Sequence, residues 1–219
     1  MDWKTRVMEI PRLKNRVLGS VVGIVLIALA IDLLRFAMFG NDPWSCMILG
    51  FSNVSGISYG MCANLYNIVM MIGMLIFGRK YIGIGTFVYL FLIGSVTDLF
   101  YWILAPLWGP DVTLTLSMRV VLMAAGIFIC SLGDAFYMDA NLGIGPYDAI
   151  SWIIQDAKGG KGFWRFKYLR VCLDLSSAAI GYVLGSIVSI GTMITAFFMG
   201  PLINFLIDHV SHPLIYGRE

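Results

Sequence analysis

The chain has 219 residues, of which 59% are hydrophobic and 13% charged, with a formal net charge of +2. A water-soluble domain carries roughly 45–50% apolar and about 25% charged residues, so composition excludes one and points to an integral membrane protein. The mean hydropathy of +0.84 agrees.

The N-terminal arm, residues 1–16, holds Lys4, Arg6, Arg12, Lys14 and Arg16. Its mixed charge, and the lack of a small-residue cleavage site after it, make the first apolar run a retained span and not a signal peptide. A span needs about 20 mostly apolar residues. Six stretches qualify: 17–38, 59–77, 81–104, 117–137, 166–184 and 188–208. Arg79 and Lys80 lie between spans two and three, and Lys158, Lys161, Arg165 and Lys167 between spans four and five. The connections at 40–58, 105–116 and 185–188 hold no Lys or Arg. Basic loops stay in the cytoplasm, so six spans with both termini inside satisfy every connection. Residues 105–116 then form an outer linker and 209–219 a cytoplasmic tail.

Within each half the apolar pattern stops at a similar place, at "FGNDPWS" (39–45) and "NLGIGPYD" (141–148). An offset of 103 residues sets Arg16 on Arg119, Gly23 on Gly126, Gly40 on Gly143, Pro43 on Pro146 and Trp44 on Tyr147. With three further residues in the second loop, Gly85 falls on Gly191, Thr86 on Thr192, Gly94 on Gly200 and Asp98 on Asn204. The expected fold is therefore all-α, a six-span polytopic membrane protein of two three-helix repeats, 17–104 and 117–208. An odd span count per repeat makes the second enter the membrane from the opposite side. Inverted repeats are a transporter architecture, with sites near the midplane between them.

Each break reads as the start of a short helix. Proline suits a first helical turn, and Asp42 is placed to cap it. Trp44, Met47, Ile48 and Phe51 share one face at helical spacing, as do Tyr147, Ile150, Ile153 and Ile154. At about 12 residues these helices are too short to span, so they re-enter the membrane or lie at its interface. Helix N-termini carry free N–H groups that suit an anion. The expected solute site is built from Pro43, Trp44, Asn64, Asn67, Gly145, Pro146, Tyr147 and Asp148.

Charge inside a span is costly and by default functional. Asp98, Asp134 and Asp174 are expected on a proton-coupling or polar pathway. Asp32 with Arg35, and Arg170 with Asp174, share helix faces and are placed to pair. Cys46, Cys62, Cys130 and Cys172 are widely spaced and read as core.

Arg119 opening a glycine-rich span, followed by "LGIGPYDAI" at 142–150, resembles the YczE-like (YczE/YyaS/YitT) bacterial membrane proteins, where the motif looks like LG-x-x-PWD. The first half departs from it, with Ser45 where the second has Asp148. The resemblance implies a small multi-pass protein of the bacterial cytoplasmic membrane and no particular substrate.

An enzyme is not expected. His209 and His212 are the only histidines, both near the C-terminus, and no metal-binding or catalytic motif is present. No cofactor, metal or nucleic acid is expected as a partner, only membrane lipid, a small solute and, left open, further copies of the chain. The function expected is a small secondary transporter, proton-coupled through its aspartates, moving a small anionic solute by alternating access. A solute-binding subunit of a multi-component importer and a non-transporting accessory protein are the alternatives. Accessibility tags at Gly109 and Gly160 should report outside and inside respectively; both on one side would end the odd-span reading.

Overall fold

The computed structural model describes residues 12–109 and 112–217. The expected N-terminal arm lies largely outside them. Among the described residues there is no strand. The helices run α1 (Leu13–Ala37), α2 (Pro43–Ser55), α3 (Tyr59–Phe77), α4 (Ile84–Trp108), α5 (Leu116–Asp139), α6 (Pro146–Ala157), α7 (Phe166–Val183) and α8 (Ile190–Leu206). A π-helical turn, Ile207–Ser211, carries α8 into α9, His212–Tyr216.

Five stretches are long and apolar enough to cross a membrane: α1, α3, α4, α5 and the run Ile190–Tyr216. Large apolar side chains remain exposed along them, with Phe77 75% and Trp102 76% accessible, as surfaces that meet lipid should. The chain is an all-helical, multi-pass membrane protein. The sixth expected span coincides with α7, which has 18 residues and carries Lys167, Arg170 and Asp174. Composition alone does not make it a span.

Two boundaries differ from the sequence reading. α4 runs through Pro106 to Trp108 and closes on Gly109, whose N–H donates to the Ala105 carbonyl at 2.8 Å. The linker is therefore shorter than 105–116. The C-terminal tail is not free either. Ser211 Oγ donates to Asp139 Oδ2 at 2.9 Å, His212 Nδ1 to Oδ1 at 3.1 Å and Tyr216 OH to the Asp139 carbonyl at 2.9 Å, while Ile215 is buried. Asp139 ends α5, so the tail is fastened to that helix end.

The short helices form where glycine and proline placed them. Asp42 Oδ2 accepts from the Ser45 N–H at 3.0 Å, capping α2, and Pro43 and Pro146 occupy first-turn positions where no N–H is needed. All residues from Pro43 to Gly50 are buried, so the first two turns of α2 lie inside the protein. Phe51, expected on the buried face, is exposed because the helix emerges there.

The core is α1 packed on α5. Gly23 lies against Gly133, where an added Cβ would come within 2.6 Å of the Gly133 carbonyl oxygen. Such glycine contacts let two backbones approach closely, the main attraction available between helices in lipid. The ends of the pair lock reciprocally. Arg16 donates from Nε to the Ala140 carbonyl at 2.7 Å and from a terminal nitrogen to Asn141 at 2.8 Å. Arg119 does the same to Ala37 at 2.9 Å and Met38 at 3.1 Å. Each arginine, near the start of its helix, satisfies carbonyls at the end of the other, so α1 and α5 run antiparallel.

The turns after these two helices are also exchanged. The Gly191 N–H donates to the Phe39 carbonyl and the Gly85 N–H to the Leu142 carbonyl, both at 2.8 Å. Gly40 and Gly143, with φ of 89° and 124°, hold backbone angles that other residues resist. A Cβ on Gly143 would lie 2.7 Å from the Gly83 nitrogen, and one on Gly40 2.9 Å from the Ser189 nitrogen. Gly40→Ala and Gly143→Ala should each destabilise the protein by more than about 1 kcal/mol in a detergent melting assay. Gly73→Ala, in mid-helix with nothing near its Cβ, should be neutral or gain up to about 1 kcal/mol. Equal behaviour of the three variants would refute the tight-turn account.

Candidate functional site

A cavity of about 330 Å³ lies between the two halves of the chain. Small-molecule sites span roughly 300–1,000 Å³, so it suits a small ligand. The first turn of α2 contributes Pro43, Trp44 and Ser45, and Asp42 before it. The start of α6 contributes Gly145, Tyr147 and Asp148. Both helix beginnings thus face one space, with the rings of Trp44 and Tyr147 6.5 Å apart between centroids. Pro146, buried between Gly145 and Tyr147, holds the second beginning in place. α5 adds Asp134 and Tyr137, α7 adds Phe166, Arg170 and Asp174, and α4 adds Tyr89.

Arg170 organises one wall. It forms ion pairs with Asp148 of α6 and, four residues along its own helix, with Asp174, whose Oδ2 accepts from Nε at 3.2 Å. Its guanidinium lies over the Tyr147 ring, 4.7 Å from the centroid. The Tyr147 hydroxyl donates to Asp174 Oδ1 at 2.7 Å and contacts Ser177 Oγ at 3.1 Å. One guanidinium therefore serves two carboxylates and a ring, and ties the start of α6 to the middle of α7. The expected Arg170–Asp174 pair is present; its extension to Asp148 was not foreseen, because that contact joins different helices.

Four carboxylates, those of Asp42, Asp134, Asp148 and Asp174, line the cavity against the single guanidinium of Arg170. The expectation of an anion rested on free N–H groups at helix starts. Those groups are outweighed here, because Asp42 already accepts from its own helix and carboxylates line both ends. Asp134 lines the cavity and takes part in none of the ion pairs or side-chain hydrogen bonds among the described residues. Trp44 Nε1 and Tyr137 OH are also buried without a partner, which is unusual for polar atoms in a finished core.

The other expected site residues lie elsewhere. Asp98 accepts from the Gly60 N–H at 2.8 Å and from Ser58 Oγ at 2.5 Å. It closes the start of α3 against α4 and does not line the cavity. Asn64 and Asn67 are likewise absent from it. Asn67 is fully buried with both amide atoms unpartnered, and the Asn64 carbonyl oxygen is unpartnered too. The expected Asp32–Arg35 pair does not form. Arg35 stacks over Tyr101 at 4.0 Å, leaving Asp32 buried with neither oxygen bonded. Tyr89 and Tyr137 were not anticipated at the site, although Tyr137 comes three residues after Asp134 and so shares its face.

The far end of α6 is anchored to the turn between α3 and α4. Lys80 Nζ lies 2.6 Å from Asp156 Oδ2, and the Tyr81 hydroxyl donates to the same oxygen at 2.5 Å. The hydrogen bonds from Lys80 and then Tyr81 hold the Asp156 carboxyl below its usual range.

A family model described as a family of unknown function, DUF6198, matches residues 14–208. The chain belongs to the DUF6198 family. It is similar to the uncharacterized membrane protein YczE of Bacillus subtilis, 23% identical over 196 residues, covering 89% of this chain and 86% of that one. It is also similar to an uncharacterized protein of Haemophilus influenzae, 24% identical over 197 residues, with 88% and 85% covered. YyaS of Bacillus subtilis is 21% identical over 194 residues, with 89% and 90% covered. No solved structure matches. The resemblance carried by Arg119 and the LGIGPYD turn is borne out, and the matched region of the DUF6198 model contains every residue lining the cavity.

Arg170→Gln leaves Asp148 and Asp174 without their counter-charge and should destabilise the protein. The three side chains are 34%, 31% and 18% exposed, so screening holds the loss nearer 1 kcal/mol than the roughly 3–5 kcal/mol of a fully buried pair. Adding Asp174→Asn should restore part of the loss. Strictly additive losses in that double-mutant cycle would dissolve the clamp.

Proposed function

We propose that the chain is a small secondary carrier that moves a solute through this cavity by alternating access. Its two halves act as three-span repeats inverted about an axis in the membrane plane, with α7 as the sixth span and both termini in the cytoplasm of a bacterial cell. The observation that carries the reading is the cavity itself, reached by the first turns of two short helices, one from each half. A copied glycine–proline–aromatic break is accounted for if both copies serve one site between the repeats.

Reciprocal contacts support the inversion. Arg16 and Arg119, Phe39 and Leu142, Gly85 and Gly191 exchange roles between halves. So do Gly50, whose Cβ would meet Leu184, and Gly78, whose Cβ would meet Ile153. The antiparallel course of α1 and α5 supports a relating axis that runs across the helices, in the membrane plane. For α7, the charges that spoil its apolar composition are partly answered within the protein, since Arg170 and Asp174 face the cavity and each other.

The symmetry fails in one informative place. Gly60 and Gly94 press α3 onto α4, each Cβ position lying against the other's carbonyl. Gly200, the counterpart of Gly94, has nothing within 4 Å of its Cβ position and lines the cavity between α7 and α8. One repeat is closed and the other open, the arrangement expected of a carrier caught facing one side. Asp134, unpaired on the open side, is the proposed proton-coupling group.

The test uses the purified full chain in proteoliposomes enclosing a pH-sensitive dye, challenged with a panel of small ammonium, carboxylate and sugar solutes. At least one class should drive proton movement, and Asp134→Asn should abolish that movement while the protein remains folded. Saturable binding with no flux would favour the importer-subunit alternative. Neither binding nor flux would remove the carrier reading.

A further inference from the structure

We infer that the ligand of this cavity is a small organic cation, an ammonium ion held between Asp134 and the aromatic rings of Trp44, Tyr89 and Tyr137. The inference rests on the cavity being the solute site, and it adds the chemical class of the solute. Two independent features carry it, the unanswered charge and the aromatic wall.

Arg170 answers Asp148 and Asp174, and Asp42 is engaged by the N–H of Ser45. That leaves Asp134 with no ion pair of its own among the described residues. A lone carboxylate beside an apolar lining is costly unless it is neutral or paired, and a bound cation supplies the partner. A carboxylate or phosphate ligand would instead add a like charge beside Asp134.

The rings form a chain. Tyr147 lies 6.5 Å from Trp44, Trp44 6.4 Å from Tyr89, and Tyr89 5.3 Å from Tyr137, centroid to centroid. Ring faces carry negative quadrupole potential and attract cations, most strongly for tryptophan and where water is excluded. Recognition of ammonium groups by clustered aromatics is the recurring use of that attraction. The protein already uses it at one end of the chain, where the Arg170 guanidinium lies over Tyr147. The other three rings have no protein cation over them among the described residues. Tyr137 is one helical turn from Asp134, so the charge and the nearest ring stand on the same face of α5. A metal ion is not favoured, since no group of three metal-ligating side chains occurs among the described residues.

The experiment measures binding to the full-length protein in nanodiscs. Choline and tetramethylammonium are the cationic probes. The alcohol 3,3-dimethylbutan-1-ol, choline's neutral carbon isostere, and pivalate, an anion of similar bulk, are the controls. A cationic probe should bind saturably and at least about tenfold more tightly than either control, the scale of a desolvated cation–aromatic contact with a paired charge. Asp134→Asn should weaken it about tenfold or more. Trp44→Phe should keep most of the affinity, and Trp44→Leu should lose it. Intact thermal unfolding of each variant separates lost binding from lost fold. Equal binding of the isostere, preferential binding of pivalate, or no saturable binding of either cation up to about 10 mM would overturn the inference. The carrier reading fails separately: cation binding without flux removes transport and leaves the cation site, whereas flux of a solute that neither cation competes removes the cation site and leaves transport.

Discussion

Everything else in this protein hangs on the close antiparallel packing of α1 and α5. In lipid, apolar side chains gain nothing by leaving one hydrocarbon surface for another, so helix association depends on packing and on hydrogen bonds made across the interface. Gly23 and Gly133 remove the side chains that would hold the backbones apart. Arg16 and Arg119 then bind the orphan carbonyls at the opposite helix ends. Those carbonyls have no partner within their own helix, and each would be expensive to leave unmet at membrane depth. The same two arginines fix the register of the pair, because each grips two successive carbonyls at the other helix's end.

Fixing those ends also fixes the turns beyond them. The chain leaves α1 at Met38 and α5 at Asn141, both with positive φ, and turns through Gly40 or Gly143. Each turn is pinned by an N–H from the last long helix of the other half, that of Gly191 in α8 and that of Gly85 in α4. The short helices must therefore start next to the α1–α5 seam and cross to the opposite half, where α2 packs against Gly181 and α6 against Gly78. Helices of 13 and 12 residues would be marginal alone in water; here their first turns are stabilised by burial. The consequence is a cavity whose floor is the seam and whose rim is two helix starts, with Asp134 and Tyr137 supplied by the seam itself.

The two breaks in the apolar pattern were legible because they are written in glycine and proline, and the helix ends beside them in arginine. These residues answer backbone needs that hydrophobic substitution cannot meet, so they remain recognisable where valine and leucine do not. The breaks, the Asp42 cap and five of the spans came from the same logic. What the sequence did not disclose was pairing across helices. Arg170 with Asp148, and Tyr89 beside Tyr137, depend on which faces meet, and no spacing along one helix records that. Asp98 misled because a carboxylate at membrane depth has two uses: it can face a ligand, or it can cap a neighbouring helix, as it does for α3. Asn64 and Asn67 were drawn into the site by their polarity, yet they lie on α3 away from the cavity. At the offset that sets Gly94 on Gly200, Asn64 falls on Arg170.

That correspondence bears on how a carrier of this build would close. The tight contact in the first repeat is glycine on glycine, Gly60 on Gly94, with Asp98 bridging to Ser58 and the Gly60 N–H. The equivalent positions in the second repeat are Phe166, Gly200 and Asn204. Closing α7 onto α8 in the same way would bring the Phe166 ring, not a bare backbone, to Gly200, and Asn204 toward the start of α7. A benzyl side chain cannot reproduce a glycine contact, so on the carrier reading the two closed states would be unequal in depth. On that reading the Gly60–Gly94 contact would seal one half closely, whereas Phe166 would act as a plug that occupies part of the space it shuts. Since Phe166 already lines the cavity, the plug and a solute would compete for the same volume, and a bound solute of the right size would hold α7 and α8 apart. On the carrier reading, the bias between the two states is thus set by a single pair of aligned positions, Gly60 in one repeat and Phe166 in the other.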